Sequence, residues 1–171
     1  MSYELVGLIA NVSLALSLIV ALVFGLIEAR AVSRERRERL TLEALNTFQS
    51  REFAEILQYL DTHDLPKNRA DLRALPINDQ VMFIQYSMLM EDLGIMVAEK
   101  MIDMDVVDKT LGSFVSTSWK KLRPLALSMR AEDREPFFAE YFQWLAEEID
   151  ARMRANPRKP FYEAAREGAK P

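Results

Sequence analysis

The chain has 171 residues, half of them apolar, with no cysteine, one histidine and a net charge of −4. Without cysteine there are no disulfides and no thiolate chemistry, and His63 with carboxylates alone is a poor zinc ligand set. The charge is segregated. Residues 28–39 carry five Arg against three Glu, residues 40–156 carry thirteen Lys/Arg against twenty Asp/Glu (net −7), and the tail from Pro157 is net +2. An acidic main body is a poor nucleic-acid binder, because phosphate neutralisation needs clustered cations.

Leu5 to Ile27 reads LVGLIANVSLALSLIVALVFGLI, without a charge. As a helix, 23 residues span roughly 35 Å against a hydrocarbon core of about 30 Å. Fifteen of them are Leu, Ile, Val or Phe, worth roughly −5 to −9 kcal/mol of insertion free energy. Asn11 opposes this, and even at the cost of a full charge, about 3 kcal/mol, insertion wins. A buried core helix rarely runs so long without a charge. A cleaved signal peptide would need a basic start and a shorter apolar run, whereas this chain starts Met-Ser-Tyr-Glu. The expectation is a retained anchor. Arg30, Arg34, Arg36, Arg37 and Arg39 follow the span and no cation precedes it, so the positive-inside rule predicts the C-terminal side in the cytoplasm of a bacterial inner membrane. The same arginines can meet anionic headgroups, an attraction weakened by the interleaved Glu28, Glu35 and Glu38. Ser13, Ser17, Ala21 and Gly25 recur every fourth residue, a ridge of small side chains along which a second helix can approach, with Asn11 available for an interhelical hydrogen bond.

The helical pattern continues from Glu28 to about Gln49, with Leu42, Leu45 and Phe48 as a weak apolar stripe. Ser50 is placed to cap a second helix bearing Phe53, Ile56, Leu57 and Leu60. Asp61 to Leu75, with Pro66 and Asn68, reads as a loop with room for one helical turn. A third helix is expected from a cap at Asn78 or Asp79 to about Lys100. Its apolar residues (Val81, Phe83, Ile84, Tyr86, Met88 and onward to Val97) lie all round, which predicts a central helix enclosed by protein. Asp105 is the expected cap of a fourth helix lined by Val107, Leu111, Phe114, Val115, Trp119 and Leu122, ended or kinked by Pro124. A final helix is expected to start near Pro136, to carry Phe138, Tyr141, Phe142, Leu145 and Ile149, and to stop at Asn156-Pro157. No useful β-alternation occurs, so the class is all-α: a single N-terminal transmembrane helix followed by a small cytoplasmic helical bundle. The layout is a short outer tail (1–4), the span (5–27), a basic juxtamembrane helix (28–49), the helical domain (50–155) and a polar C-terminal tail (156–171).

Glu91 shares a helical face with Ile84, Met88 and Ile95 and, in a central helix, would be a buried carboxylate. A proton-handling or acid/base role is one reading. The blander one is a carboxylate hydrogen-bonded to an Arg, to Trp119 or to a backbone amide. Asp103, Asp105 and Asp108 fail the calcium-loop test, since the positions needing Gly and Glu hold Asp108 and Phe114. No phosphate loop, nucleophile elbow or His-Glu-x-x-His occurs, and neither a catalytic residue nor a cofactor is expected.

The run Met88-Leu-Met-Glu91-Asp-Leu-Gly94-Ile-Met-Val97, followed by Ile102-Asp103, Leu111-Gly112, Trp119-Lys-Lys-Leu122-Arg-Pro124 and Tyr141-Phe142-Gln-Trp144-Leu145-Ala146, resembles a bacterial family known as domain of unknown function 4760. The likeness covers residues 41–147. It implies a membrane helix joined to a helical domain, and it brings no assigned activity from which a catalytic residue could be carried over. Glu91 and Trp119 gain interest as matched positions that are not aliphatic.

The function expected from these readings is a non-catalytic, membrane-anchored interaction protein or accessory subunit. Its partners would be the lipid bilayer and other membrane subunits, or a second copy through the span, and not nucleic acid. Alternatives are a homodimeric membrane sensor and an enzyme or proton-linked protein using Glu91. A free tail after Asn156 is expected to be unstructured, with Phe161 and Tyr162 as the anchors by which a partner would pin it.

Overall fold

The computed structural model describes residues 3–168; the side chains of residues 3–6, 9, 10, 37, 164, 167 and 168 lie outside the described set. Seven helices follow in order: α1 (Tyr3–Phe48), α2 (Arg51–Thr62), α3 (Arg69–Ala74), α4 (Ile77–Ala98), α5 (Met104–Asp133), α6 (Glu140–Ala155) and α7 (Phe161–Gly168). Among the described residues there is no strand, so the fold is all-α.

The apolar segment and the basic segment after it form one continuous helix, with no break at Ile27 or Glu28. At 1.5 Å per residue its 46 residues extend about 69 Å. Every described side chain from Gly7 to Arg39 is exposed. Exposure first falls at Leu40, Ala44 and Leu45 pack against the core, and Phe48 is buried edge-on against Phe53 at 5.0 Å. The chain then turns at Gln49-Ser50. The Ser50 hydroxyl accepts from the Phe53 N–H at 3.1 Å, fixing the start of α2.

From Phe53 a line of rings crosses the domain. Phe53 lies parallel to Tyr86 at 6.2 Å, Tyr86 meets Phe142 edge-on at 6.2 Å, and Phe142 meets Trp119 at 5.2 Å. One aromatic column therefore joins the end of α1 to α4, α6 and α5. Fully buried Met90, Leu93, Val107, Val115 and Leu145 fill the space around it.

Several expected boundaries move. Asn78 and Asp79 do not cap α4, which starts at Ile77 after Pro76. Asp79 instead accepts from the Tyr59 hydroxyl at 3.1 Å. The cap of α5 is Asp103, accepting from the Asp105 N–H at 2.7 Å, while Asp105 lies in the first turn and pairs with Arg152. Pro124 neither ends α5 nor precludes its continuation to Asp133. Both Pro124 and Lys120, whose carbonyl loses its helical donor, face solvent, where water can satisfy that carbonyl. Consequently α6 starts later than Pro136, at Glu140, after an Ala139 in the left-handed region (φ 54°). The tail is not unstructured throughout: Phe161–Gly168 is α7, which follows Pro160, holds the good helix formers of residues 163–167, and has Glu163 in its first turn and Arg166 in its last.

The largest correction concerns α4. Its buried face is Phe83, Tyr86, Met90, Leu93, Gly94 and Val97, but Ile77, Val81, Ile84 and Met88 are exposed, Met88 by 61%. Apolar residues all round had pointed to full enclosure. The domain is too small for that: α6 packs along one side of α4, and among the described residues no helix covers the opposite stripe; Phe114 of α5, expected on the buried side, is likewise exposed.

The α4–α6 contact is unusually close at Gly94, where an added Cβ would stand 2.5 Å from the Tyr141 carbonyl oxygen and 2.6 Å from its carbon. Backbone cannot yield as a flexible side chain does. Gly94→Ala is therefore expected to destabilise the domain by about 1–3 kcal/mol, overriding the roughly 1 kcal/mol of helix propensity that alanine brings. Thermal unfolding of the variant beside Gly25→Ala, which meets nothing within 4 Å, checks this.

Candidate functional site

Glu91 projects from α4 one turn before Gly94, and the close approach there brings the start of α6 within its reach. Its two carboxylate oxygens accept from the Tyr141 N–H at 3.2 Å and the Phe142 N–H at 2.9 Å. These are first-turn amides, which have no partner inside their own helix. Ala139, in the capping position, offers no side-chain oxygen. Glu91 thus supplies from another helix the cap that α6 lacks, and its negative charge sits at the positive end of the helix dipole. Glu91 is part-buried rather than enclosed, and both its carboxylate oxygens are engaged by backbone amides, one of the partner types the sequence offered for it. Trp119 is buried and reaches the same residue from the other side, ring to ring with Phe142.

Arg130 completes the corner from α5. Its guanidinium donates to the Phe138 carbonyl at 2.8 Å, the Ala139 carbonyl at 3.2 Å and the Gln143 side chain at 2.6 Å. The strained turn before α6 is therefore held by a carboxylate on its amides and a guanidinium on its carbonyls.

Beside this corner lies an apolar groove of about 280 Å3, with Ile84 and Met88 on one wall, Leu125 and Met129 on another, and Phe137 at the mouth. Among the described residues, Glu91 is the one charged side chain lining it. Phe137 is 64% exposed, and the stripe Ile77–Val81–Ile84–Met88 leads up to the groove along α4. Sequence reasoning missed this surface because it enclosed Ile84 and Met88 in protein and started the final helix near Pro136. The adjacent Phe137-Phe138 pair was the available signal.

A second polar cluster joins α5 to α6 at the other end. The Ser116 hydroxyl donates to Asp150 at 2.6 Å, and Lys120 reaches both Asp150 and the Ser116 oxygen at 2.9 Å. The serine hydrogen bond, followed by Lys120, holds the Asp150 carboxyl below the usual carboxylate range. A carboxylate so stabilised is a weak proton acceptor and the lysine is an ion-pair partner, so the cluster acts as a clamp between helices. Among the described residues, no three His, Cys, Asp or Glu side chains gather in a metal-binding group. His63 is exposed and stacks on Tyr59 at 4.0 Å.

On α1, Asn11, Ser13, Ser17, Ala21 and Gly25 are all exposed, and Ser13, Ser17, Ala21 and Gly25 keep their four-residue spacing. The Ser17 hydroxyl donates to the Ser13 carbonyl at 2.8 Å, so that donor is used within the helix. Arg30, Arg34, Arg36 and Arg39 are exposed, with Arg34 paired to Glu38 at 2.9 Å; the side chain of Arg37 lies outside the described residues. Phe161 and Tyr162 stand out from α7, 86% and 62% exposed.

Fold and site together define an all-α chain in which a long apolar helix is joined through an aromatic column to a small domain bearing an open apolar groove. The chain belongs to the family described as Domain of unknown function (DUF4760), which it matches over residues 13–149, from within α1 to the last buried residue of α6. Comparison with curated proteins and with solved structures yields no match.

Replacing Glu91 by Ala is expected to cost about 2–4 kcal/mol, since two charge-assisted hydrogen bonds are lost and two amides at the helix start are orphaned. Glu91→Gln, which keeps one acceptor oxygen, should recover roughly half. Chemical denaturation of the two variants measures the difference.

Proposed function

We propose that this chain is a single-pass membrane protein whose domain serves as a non-catalytic interaction module, an accessory subunit on the cytoplasmic side of the inner membrane. The observation that carries the reading is the uncovered apolar surface of α1. Its described side chains from Leu8 to Ile27 are exposed, nearly all of them apolar, on a helix long and apolar enough to cross a membrane. A continuous surface of that size is far larger than soluble monomers leave in water, and lipid is the solvent that matches it. α4 also has the length and composition of a span, but Phe83, Tyr86, Met90 and Leu93 tie it into the domain core, so the anchor is assigned to α1. The cationic residues that follow Ile27 favour the orientation with the domain inside.

Beyond the bilayer, α1 continues for 21 residues as helix, about 31 Å, before Phe48 enters the core. The domain is carried at the end of a stalk, and the groove beside Met88 is its best docking surface: apolar and uncovered. Glu91 and Arg130 hold the α6 start, which supports binding over chemistry.

The anchor is tested by extracting membranes with alkaline carbonate and with high salt. The full chain is expected to stay in the pellet in both, and a C-terminal tag should be digested only after the cells are opened. Release by carbonate, or digestion from outside intact cells, contradicts the proposal.

A further inference from the structure

Arginines and glutamates alternate in the sequence after the span, but the helix sorts them. At about 100° per residue, Arg34 lies roughly 40° round α1 from Arg30, whereas Glu28 and Glu35 lie roughly 160° and 140° away. By register Arg37 falls on the Arg30 side, about 20° from it. Of the three glutamates only Glu38 stays near, paired with Arg34 at 2.9 Å. That side of the helix therefore holds three Arg against one Glu, net +2.

The same side is hollowed. The small side chains of Ala29 and Ser33 leave a shallow depression of about 390 Å3 beside Arg30 and Arg34, with Leu26 at its membrane end. The Ser33 hydroxyl donates to the Ala29 carbonyl at 2.9 Å, so the donors left for a ligand are those of Arg30 and the N–H groups of Arg34 not given to Glu38. Along the axis Arg30 and Arg34 stand about 4.5 and 10.5 Å beyond Ile27. The headgroup layer on each side of a bilayer is about 5–8 Å deep. Side chains lean toward the N-terminus of their helix, here the bilayer, and long cationic ones reach back toward an interface. Both guanidinium groups therefore come within the phosphate layer.

We infer that this hollow seats the phosphate of an anionic phospholipid, with an acyl chain against Leu26 and the headgroup on Arg30 and Arg34. This rests on the reading of α1 as the membrane anchor. Guanidinium groups hold phosphate oxygens by paired N–H donors. An anionic lipid brings an uncompensated negative charge to this net-positive face, whereas a zwitterionic headgroup brings a cation of its own. Glu28 and Glu35, turned to the far side, do not oppose the phosphate directly.

The full-length chain in a mild nonionic detergent is titrated with dioleoylphosphatidylglycerol or with dioleoylphosphatidylcholine, and the first bound lipid is counted by native mass spectrometry. The unmodified protein is expected to take the glycerol lipid about fivefold or more tightly than the choline lipid, the effect of one to two net cations. Arg30→Gln/Arg34→Gln should abolish that preference. Arg36→Gln/Arg39→Gln removes the same charge from positions roughly 120° and 180° round the helix from Arg30 and should keep it. All four side chains are exposed, so neither variant disturbs the core. Inorganic phosphate at millimolar concentration should not displace the lipid, since it lacks the apolar part that meets Leu26. Equal affinity for the two lipids in the unmodified protein, equal loss in both variants, or displacement by phosphate overturns the inference. Retention in carbonate-washed membranes is measured separately, so loss of the anchor and failure of the lipid seat are told apart.

Discussion

The carboxylate of Glu91, reaching across the Gly94 contact to the first amides of α6, is the constraint on which the domain is built. A helix that begins after a left-handed alanine has no local cap, and its first N–H groups would otherwise be lost to a partly apolar setting. By accepting from Tyr141 and Phe142, Glu91 fixes where α6 starts and how it is rotated. That rotation turns Phe142, Leu145 and Ile149 inward to meet Tyr86, Trp119 and Gly112. The two hydrogen bonds, together worth about 2–4 kcal/mol, are a sizeable fraction of the roughly 5–15 kcal/mol that holds a domain together.

The same placement leaves the rest of α4 bare. Since α6 is drawn onto the Gly94 face, the stripe from Ile77 to Met88 lies away from it, and the turn anchored by Arg130 sets Phe137 beside that stripe. The groove is thus a by-product of how α6 is seated. The aromatic column from Phe142 back through Tyr86 and Phe53 to Phe48 ties the corner to the end of α1. The long helix α1, the core and the groove are consequently one connected structure, a suitable build for the membrane-tethered docking module proposed above.

Much of the fold was legible in the sequence where a local rule governs. Helical periodicity and the absence of β-alternation gave the class, Ser50 was readable as a cap because its hydroxyl acts three residues away, and Asn156-Pro157 marked the end of α6. Glu91 was singled out as an acid on an apolar helix, and a backbone amide was among the partners weighed for it. What could not be read depended on tertiary placement. Apolar residues all round α4 do not reveal that the domain lacks a helix to cover one side. The start of α6 was misplaced because its cap comes from 49 residues upstream of Glu140 rather than from its own turn. Of the two outcomes expected of Pro124, ending the helix does not occur, because the orphaned carbonyl belongs to an exposed residue that water can reach. At α7, good helix formers outweighed the expectation of a loose tail.

Amide hydrogen exchange at Tyr141 and Phe142 in the unmodified protein tests the central claim most directly. First-turn amides of an ordinarily exposed helix start exchange fast, since nothing inside the helix holds them. If Glu91 caps α6 from α4, both amides will exchange slowly, and both will lose that protection in Glu91→Ala while the amides of α2 keep theirs. Fast exchange at Tyr141 and Phe142 in the unmodified protein, with the rest of α6 protected, would contradict the account.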